Sequence, residues 1–285
     1  MTDSLPEKLI WKIDQAIDLI HNLRGAVVAL SAGVDSSLVA LLAHRALGQS
    51  TVAVTGQSES LPPEELEIAE ETAKSIGIRH IVVRTRELQN PNYYQNPENR
   101  CYFCKETLYY ELRSLANDLG FEAILDGTQL DDLGDYRPGL KAAKEAGVIS
   151  PLLNASFSKA DVREAARHLG LLVWDKPAMP CLSSRIMHGE EITPDKLSMI
   201  GQAELYIKQL TGVRNLRVRF NNSLARIEVS PDERRRFFDE EVMDQVDQQL
   251  RRMGFAGASL DMRGYSKKKS TVESPFVLPM ANIAP

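Results

Sequence analysis

The densest run of residues capable of chemistry spans positions 31–37, Ser-Ala-Gly-Val-Asp-Ser-Ser, between a short apolar run and an apolar helical pattern. Small residues where a strand meets a helix let backbone N–H groups close around an anion, and the helix start adds its positive dipole end. The three serine hydroxyls can complete a phosphate site. Asp35 adds negative charge there, which predicts a bound Mg²⁺ or a role in orienting the backbone. The plainer interpretation is a tight turn in which Asp35 and Ser36 cap the helix.

The chain has three cysteines, Cys101, Cys104 and Cys181. An odd number of cysteines in a chain expected to be cytosolic argues against a disulfide framework and favours metal or redox chemistry. The Cys-x-x-Cys spacing of the first two is weak evidence by itself, because a zinc half-site or a redox dithiol has the same spacing.

Charged residues next to these motifs form a second set of candidates. Lys105 directly follows the cysteine pair and can neutralise a phosphate or an acyl-adenylate, although a solvated lysine at a helix start is equally ordinary. Arg185, four residues after Cys181, would place a fixed cation near the sulfur. Asp131 and Asp132 follow a predicted strand end and can hold Mg²⁺ or a ribose; the alternative is that they cap the next turn.

Arg217 and Arg219 alternate with apolar residues in positions 216–220, so they share one face of a predicted strand. Two guanidinium groups on one face can bind a phosphate or carboxylate bidentately. The alternative to ligand binding is that this strand face is exposed to solvent or contacts another subunit.

Alternating elements are predicted to position these residues over the first two-thirds of the chain. The expected helices cover 9–23, 37–47, 63–77, 106–119, 140–146 and 158–170, and the expected strands cover 26–30, 51–55, 78–83, 123–125 and 148–153. Such alternation predicts an α/β fold with a doubly wound parallel sheet, whose ligands bind at the carboxyl ends of the strands.

The remainder predicts a smaller α+β domain. A helix over 194–210 precedes two alternating runs, 216–220 and 224–229, which Asn221-Asn222-Ser223 separates as in a hairpin. A charged helical stretch from Ser230 to about 253 and a last strand over 258–262 follow. The predicted domains are therefore 1–188, a small domain over 189–265 for acceptor binding or oligomerisation, and a loosely held tail over 266–285.

The overall composition limits the function classes. The chain of 285 residues carries 34 basic and 39 acidic side chains, a formal net charge of −5, which argues against nonspecific binding of a polyanion such as tRNA. No secretory signal is recognisable and the apolar runs are too short to span a bilayer. We therefore expect a cytoplasmic protein without membrane contact.

The 31–37 run resembles the Ser-Gly-Gly-x-Asp-Ser loop of the PP-loop ATP-pyrophosphatases, which have the adenine nucleotide alpha hydrolase-like fold. Those enzymes split ATP between its α and β phosphates and attach AMP to a substrate oxygen. The chain departs at Ala32, where the family usually has Gly; alanine is tolerated unless φ must be positive there. The expected ATP-binding residues are Ser31, Gly33, Asp35, Ser36, Ser37 and Asp132.

Segments 99–105, 127–139 and 180–185 together resemble LarE, the ATP-dependent sulfur transferase family of nickel-pincer nucleotide biosynthesis, and the resemblance covers nearly the whole chain. It implies adenylation of a pyridinium carboxylate mononucleotide and conversion of its carboxylate to a thiocarboxylate. Asp35, Lys105, Cys181 and Arg185 are then the catalytic candidates, Arg217 and Arg219 bind the acceptor, and a homo-oligomer is expected.

The family has two sulfur chemistries. In one, a single cysteine at the position of Cys181 gives up its own sulfur and becomes dehydroalanine. In the other, three cysteines hold a [4Fe–4S] cluster, and the iron without a protein ligand carries a sulfide. Because Cys101 and Cys104 accompany Cys181, the chain resembles the cluster type, with ATP and Mg²⁺ as further cofactors. The source of the sulfide is not implied.

Two other PP-loop enzymes remain as alternatives, and so does a non-enzymatic ATP-binding sensor, which would keep the loop but not the cysteines. A tRNA thiolase also uses this loop, sometimes with three cysteines, but it should be basic. An amide-forming ligase needs an ammonia source, such as a glutaminase domain, and has no use for three motif cysteines.

Overall fold

The computed structural model describes residues 5–134 and 136–265, so the predicted tail 266–285 lies outside the described residues. The chain divides into two compact units, Met1–Gln202 and Ala203–Pro285. None of the helices in the described part combines the length and apolarity that a bilayer crossing requires.

The first unit is built on four parallel strands in the order β3-β2-β1-β4. They are β1 (Ala26–Ala29), β2 (Thr51–Gln57), β3 (Arg79–Arg84) and β4 (Ala123–Leu125). Strand β1 has β2 on one side and β4 on the other, so the winding direction reverses between β1 and β4. A crevice therefore opens there at the carboxyl ends of the strands. This topology confirms the predicted doubly wound α/β fold.

Helices cover both faces of the sheet. The helices of the first unit are α1 (Glu7–His21), α2 (Val34–Leu47), α3 (Pro63–Ile76), α4 (Pro91–Tyr94), α5 (Arg100–Leu119), α6 (Pro138–Glu145), α7 (Pro151–Asn154) and α8 (Lys159–His168). Helix α9 (Pro194–Thr211) runs from the first unit into the second, and α10 (Glu240–Arg252) belongs to the second unit. Short 3₁₀ segments cover Gly48–Ser50, Glu87–Gln89, Leu130–Gly134, Leu182–Arg185 and Arg234–Phe237.

Alternation along the buried strands divides the core into two clusters. Ala26 and Val28 of β1 pack with the cluster that includes α1, α2 and α8, whereas Val27 and Ala29 pack with α5 and α6. Strands that are apolar on both faces need helices on both sides, which is why these strands read as continuous apolar runs.

Two element predictions are wrong in ways that affect the site. The strand predicted over 148–153 is a single bridge between Ile149 and Leu125, because Pro151 lacks an N–H and begins α7 instead. The helix predicted from 106 begins at Arg100. No proline or glycine interrupts this stretch, so the helix extends toward the amino end and includes Cys101 and Cys104 in its first turns.

The second unit has a three-stranded mixed sheet in the order β5-β6-β7. Its strands are β5 (Leu216–Asn221), β6 (Leu224–Val229), which pairs antiparallel with β5, and β7 (Gly257–Leu260), which pairs parallel with β6. Asn222 and Ser223 have φ values of 47° and 65°. Two consecutive positive φ values are typical of the tight two-residue hairpin turn, so the predicted hairpin is confirmed.

Candidate active site

The 31–37 loop connects β1 to α2 and is organised largely by its own hydrogen bonds. The carbonyl of Gly33 accepts from the Ser37 N–H at 3.0 Å, from Ser36 Oγ at 3.1 Å and from Ser37 Oγ at 2.9 Å. The Ser31 N–H donates to Ser36 Oγ at 3.1 Å. Since α2 begins at Val34, three residues earlier than predicted, Asp35, Ser36 and Ser37 lie in its first turn. This is where helix N–H groups are free to bind an anion.

Asp35 has one carboxylate oxygen paired and one left over. Its Oδ2 accepts from Lys159 Nζ at 2.5 Å, whereas Oδ1 is buried and has no hydrogen-bond partner among the described residues. A buried acceptor oxygen next to a phosphate loop fits a hard cation such as Mg²⁺, which oxygen ligands bind. Lys159 was missed by sequence reasoning, because it is the first residue of α8 and no motif marks it.

Ala32 has a positive φ, the one condition under which alanine is not expected to be tolerated in this loop. Its φ is 56°, a left-handed conformation in which alanine is strained and glycine is not. The residue is fully buried, and its carbonyl accepts from Lys176 Nζ at 3.0 Å. Lys176 also pairs with Glu65 at 2.7 Å, so a buried ion pair holds the strained turn from outside the loop.

The end of β4 contacts the phosphate loop directly. A Cβ at Gly127 would lie 2.6 Å from the Ser36 backbone nitrogen and 2.8 Å from the Asp35 carbonyl carbon, so only glycine fits without a shift. The preceding Asp126 accepts hydrogen bonds from the Thr128 backbone and hydroxyl, from Ser150 and from Tyr109. The two loops that flank the crevice are therefore packed against each other.

Asp131 and Asp132 lie in the 3₁₀ turn that follows β4. Asp132 is buried; it accepts from the Gln129 N–H at 3.0 Å and pairs with Arg137 at 2.5 Å. Asp131 accepts from the Lys159 N–H at 2.6 Å, at the start of α8. Asp132 therefore makes the local turn contact of the plainer interpretation, whereas Asp131 contacts a helix distant in sequence. The role of Asp132 in ATP binding stays a prediction.

The three cysteines come from two segments that the fold brings together. Cys101 and Cys104 lie on α5, and Cys181 directly precedes the Leu182–Arg185 turn. Burial raises the pKa of the Cys104 thiol, and the charges of Glu87 and then Cys181 raise it further. Burial and then Cys181 likewise raise the pKa of Cys101, although Cys101 is exposed at the surface. Because the charge of Cys181 acts on both Cys101 and Cys104, the fold brings Cys181 near the cysteine pair.

Hydrogen bonds from two other segments hold the Cys181 segment in place. The Leu182 N–H donates to the Ser60 carbonyl at 2.9 Å, and the hydroxyls of Tyr93 and Ser183 lie 2.7 Å apart. Asn96 Nδ2 donates to the carbonyls of Met187 at 2.6 Å and Glu190 at 3.0 Å. Sequence reasoning missed these residues, because single polar side chains of this kind carry no motif.

Glu87 is a buried carboxylate beside the cysteine group. It is 2% exposed, and its Oε1 accepts from Ser58 Oγ at 2.6 Å and Ser60 Oγ at 3.1 Å. Its Oε2 is buried without a hydrogen-bond partner among the described residues. The Ser60 carbonyl also accepts the Leu182 N–H, so Glu87 stabilises the turn that holds the Cys181 segment.

The two predicted cations are both close to the cysteines, but they act differently. Arg185 is 1% exposed and donates to the carbonyls of Pro180 at 2.6 Å and Cys181 at 3.3 Å, so it fixes the backbone around Cys181. Lys105 extends over the ring of Tyr109, 5.5 Å from its centroid, and its charge opposes the rise in the pKa of Cys101 and Cys104.

The cysteine group offers three thiol sulfurs as metal ligands. In residues 5–134 and 136–265, no three His, Cys, Asp or Glu side chains converge on a point where one metal ion would bind. A cubane cluster receives each thiolate on a different iron, so its ligands surround a larger body. Three free thiols, with the cations Arg100 and Lys105 acting on Cys101, supply the ligand type and the balancing charge that such a cluster needs. The cluster and Mg²⁺ stay predictions.

Arg217 and Arg219 lie in the second unit and have partners within it. Arg219 Nε pairs with Glu228 at 3.0 Å. The Arg217 guanidinium donates to the Tyr265 hydroxyl at 2.7 Å and lies 4.0 Å from the centroid of that ring. Their role toward an acceptor stays a prediction.

Comparison with known proteins places this geometry among PP-loop proteins. The family model described as asparagine synthase matches residues 23–96, which contain the phosphate loop. An uncharacterised protein of Synechocystis sp. is 48% identical over 90% of this chain and 96% of its own length. The pyridinium-3,5-bisthiocarboxylic acid mononucleotide synthase of Lactiplantibacillus plantarum is 38% identical over 86% of this chain and 88% of its own length. One chain of the glutamine-hydrolysing GMP synthase of Archaeoglobus fulgidus is 28% identical over 65% of this chain and 64% of its own length.

Proposed function

The chain belongs to the LarE family of ATP-dependent sulfur transferases, and from this premise we propose that it converts a pyridinium carboxylate mononucleotide into its thiocarboxylate for nickel-pincer cofactor synthesis. The observation that carries the proposal is that a phosphate loop and a group of three cysteines occur at the same edge of one sheet. The loop follows β1, and the turns that support Cys181 follow β2 and β3.

The first step of the proposal is adenylation. A carboxylate oxygen of the acceptor attacks the α-phosphorus of ATP, the bond to the bridging oxygen breaks, and pyrophosphate leaves. Ser31, Gly33, Ser36 and Ser37 bind the leaving pyrophosphate through N–H groups and hydroxyls at the start of α2. Asp35 would hold Mg²⁺ through its Oδ1, which has no hydrogen-bond partner among the described residues, and Lys159 offsets the charge that develops on the phosphates. Asp132 is proposed as a further ATP contact.

The second step replaces oxygen by sulfur. Sulfide attacks the acyl carbon of the adenylate, the bond from that carbon to the phosphate oxygen breaks, and AMP leaves with that oxygen. When bound by Cys101, Cys104 and Cys181, a [4Fe–4S] cluster would supply this sulfide from the iron that has no protein ligand. Arg185 keeps the Cys181 backbone in place, and Lys105 provides positive charge near the departing AMP. In the second unit, Arg217 and Arg219 are proposed to bind the phosphate of the acceptor nucleotide.

The decisive experiment is anaerobic turnover with ATP, the acceptor nucleotide and added sulfide. We expect AMP and pyrophosphate in equal amounts, a mass gain on the acceptor equal to the exchange of oxygen for sulfur, and more than one turnover. ADP and orthophosphate as products would contradict the PP-loop chemistry.

Iron counting and mass spectrometry test the role of the cysteines. Cys101→Ala and Cys104→Ala should each lose bound iron and multiple turnover. If both variants keep full activity and Cys181 is recovered as dehydroalanine after a single turnover, the sulfur comes from Cys181 itself and the cluster proposal is wrong.

A further inference from the structure

A pocket of about 540 Å³ opens between the start of α5 and the start of α6, within the size range of small-molecule sites. Aromatic and cationic side chains line it, together with Asn99 and Pro138: Tyr102, Phe103, Tyr136, Arg137 and Lys141. We propose that this pocket binds the pyridinium ring and one carboxylate of the acceptor. The inference rests on the proposed function and assigns the acceptor a site on the first unit.

The pocket lies beside the cysteine group. Tyr102 directly follows Cys101 on α5. A Cβ at Gly139 would lie 3.1 Å from Lys105 Cγ and 3.6 Å from the Cys101 carbonyl oxygen, so the first turn of α6 packs on the backbone of the cysteine pair. The pocket lining includes both residues between Cys101 and Cys104, so a ligand bound there would contact the helical turn that carries the cysteine pair.

The aromatic side chains suit a planar ring with positive charge. Tyr102 and Phe103 meet edge to face, with ring centroids 5.2 Å apart and planes at 88°, so their faces point in different directions. Lys141 Nζ lies 5.5 Å from the Tyr102 centroid, which indicates that this ring face attracts a cation. Tyr136 is 70% exposed at the pocket wall. A pyridinium combines a flat apolar body with a delocalised charge, the combination that aromatic faces bind best.

The cationic side chains suit the carboxylates of the same acceptor. Arg137 pairs with Asp132, but a guanidinium has five N–H donors, so it can also bind a ligand carboxylate. The side chain of Lys141 is 72% exposed, and its ion pair with Glu145 is long, at 3.7 Å. A ligand that carries both a cationic ring and anionic substituents satisfies both groups of side chains at once.

Titration calorimetry with pyridinium-3,5-dicarboxylate mononucleotide, without ATP, tests the pocket. We expect Tyr136→Ala to weaken binding about tenfold and Lys141→Ala about threefold to tenfold, from loss of cation–π and charge contacts. Tyr110→Ala on α5 and Lys144→Ala on α6 are the matched controls, because both side chains are exposed and do not line the pocket. Benzene-1,3-dicarboxylate keeps the carboxylates but lacks the ring charge and the ribose phosphate, so its affinity should fall little in Tyr136→Ala and more in Lys141→Ala.

Three results separate the ring site from the proposed function. If the wild type binds the nucleotide and releases AMP while the pocket variants match their controls, the ring site is wrong and the function stands. If the Arg217→Ala/Arg219→Ala variant alone loses affinity, the second unit holds the whole acceptor and the ring site is again wrong. If the wild type neither binds the acceptor nor releases AMP with it, both inferences fall. Melting curves within a few degrees of the wild type exclude unfolding as a cause.

Discussion

The phosphate loop and the cysteine group lie at the same sheet edge, but they depend on different parts of the chain. The loop consists of seven consecutive residues whose hydrogen bonds are mostly internal, with Lys159 and Lys176 as outside supports. The cysteine group joins the first turns of α5 to a segment far along the chain. The groups that hold that segment, Ser60, Tyr93 and Asn96, come from still other places.

Because of this difference, ATP activation and sulfur transfer should respond to different substitutions. A loop closed by short-range bonds keeps its shape when a distant residue changes. An assembled group loses its alignment when one supporting side chain is removed, because each support carries a long-range contact. ATP activation should therefore be sensitive to the loop itself, and sulfur transfer should be sensitive to residues that never contact the acceptor.

The largest effect is expected for Asp35→Asn. The substitution removes the charge that pairs with Lys159 and the oxygen left for a cation, with little change in volume. We expect substrate-dependent AMP release to fall on the order of 100-fold to 1,000-fold, the usual loss for one preorganised electrostatic group. Radioactive ATP and separation of the nucleotides measure it.

Asp35→Asn should leave the cysteine group intact. Bound iron and the melting temperature should stay near the wild-type values, because Asp35 does not support the cysteine segments. Asp14→Asn, on the exposed side of α1, serves as a surface control. Loss of iron together with AMP release would mean that the two regions are not independent.

Substitution of Asn96 should have the opposite effect, lowering sulfur transfer more than AMP release. Its amide donates to three carbonyls of the segment after Cys181, and its own φ is 57°. Asn96→Ala removes these hydrogen bonds and leaves alanine in a strained conformation. We expect a loss of about 2–4 kcal/mol in the free energy of unfolding. Sulfur incorporation should fall on the order of tenfold more than AMP release, measured in the same reaction.

Two further variants test whether the lost amide hydrogen bonds or the strained backbone conformation causes the effect of Asn96→Ala. Asn96→Gly removes the amide but tolerates the positive φ, so the difference between the glycine and alanine variants reports the strain together with the buried methyl group and the flexibility of the unfolded chain. Asn92→Ala, on the exposed side of α4, should change neither stability nor activity. If Asn96→Gly transfers sulfur as well as the wild type, the amide contacts do not align the cysteine segment.

The sequence predicted the loop better than its surroundings, for a physical reason. Local periodicity and the small residues of 31–37 specify a strand, a turn and a helix, so the doubly wound parallel sheet and the place of the loop at a strand end followed. The predicted strand over 148–153 was wrong, because the apolar run competes with Pro151. The start of α5 was also placed too late, because packing extends a helix beyond what residue propensity indicates.

The supports of the site could not be predicted in the same way. Lys159, Lys176, Glu87 and Asn96 act through contacts with residues distant in sequence, and a single charged or polar residue is compatible with many environments. Gly127 is the exception, since a glycine two residues after a strand end signals a close backbone approach. The partners of Arg217 and Arg219 were likewise hidden, although the alternation of β5 gave their shared face correctly.

The smallest effect is expected at Ala32, where the loop itself is strained. An alanine at a positive φ costs about 1–2 kcal/mol relative to its preferred conformations, and glycine removes that cost. Ala32→Gly also removes a buried methyl group, worth about 0.8 kcal/mol, and makes the unfolded chain more flexible, worth about 0.4–1 kcal/mol. These terms nearly cancel, so we expect the free energy of unfolding to change by less than about 1 kcal/mol, with AMP release retained.

Ala32→Val is the matched comparison: a branched side chain at a buried, left-handed position should cost more than about 2 kcal/mol, because strain and overpacking add. Denaturant unfolding of both variants measures the difference. If valine is tolerated as well as glycine, the loop does not hold the left-handed turn, and the buried Lys176–Glu65 pair has no strained conformation to stabilise.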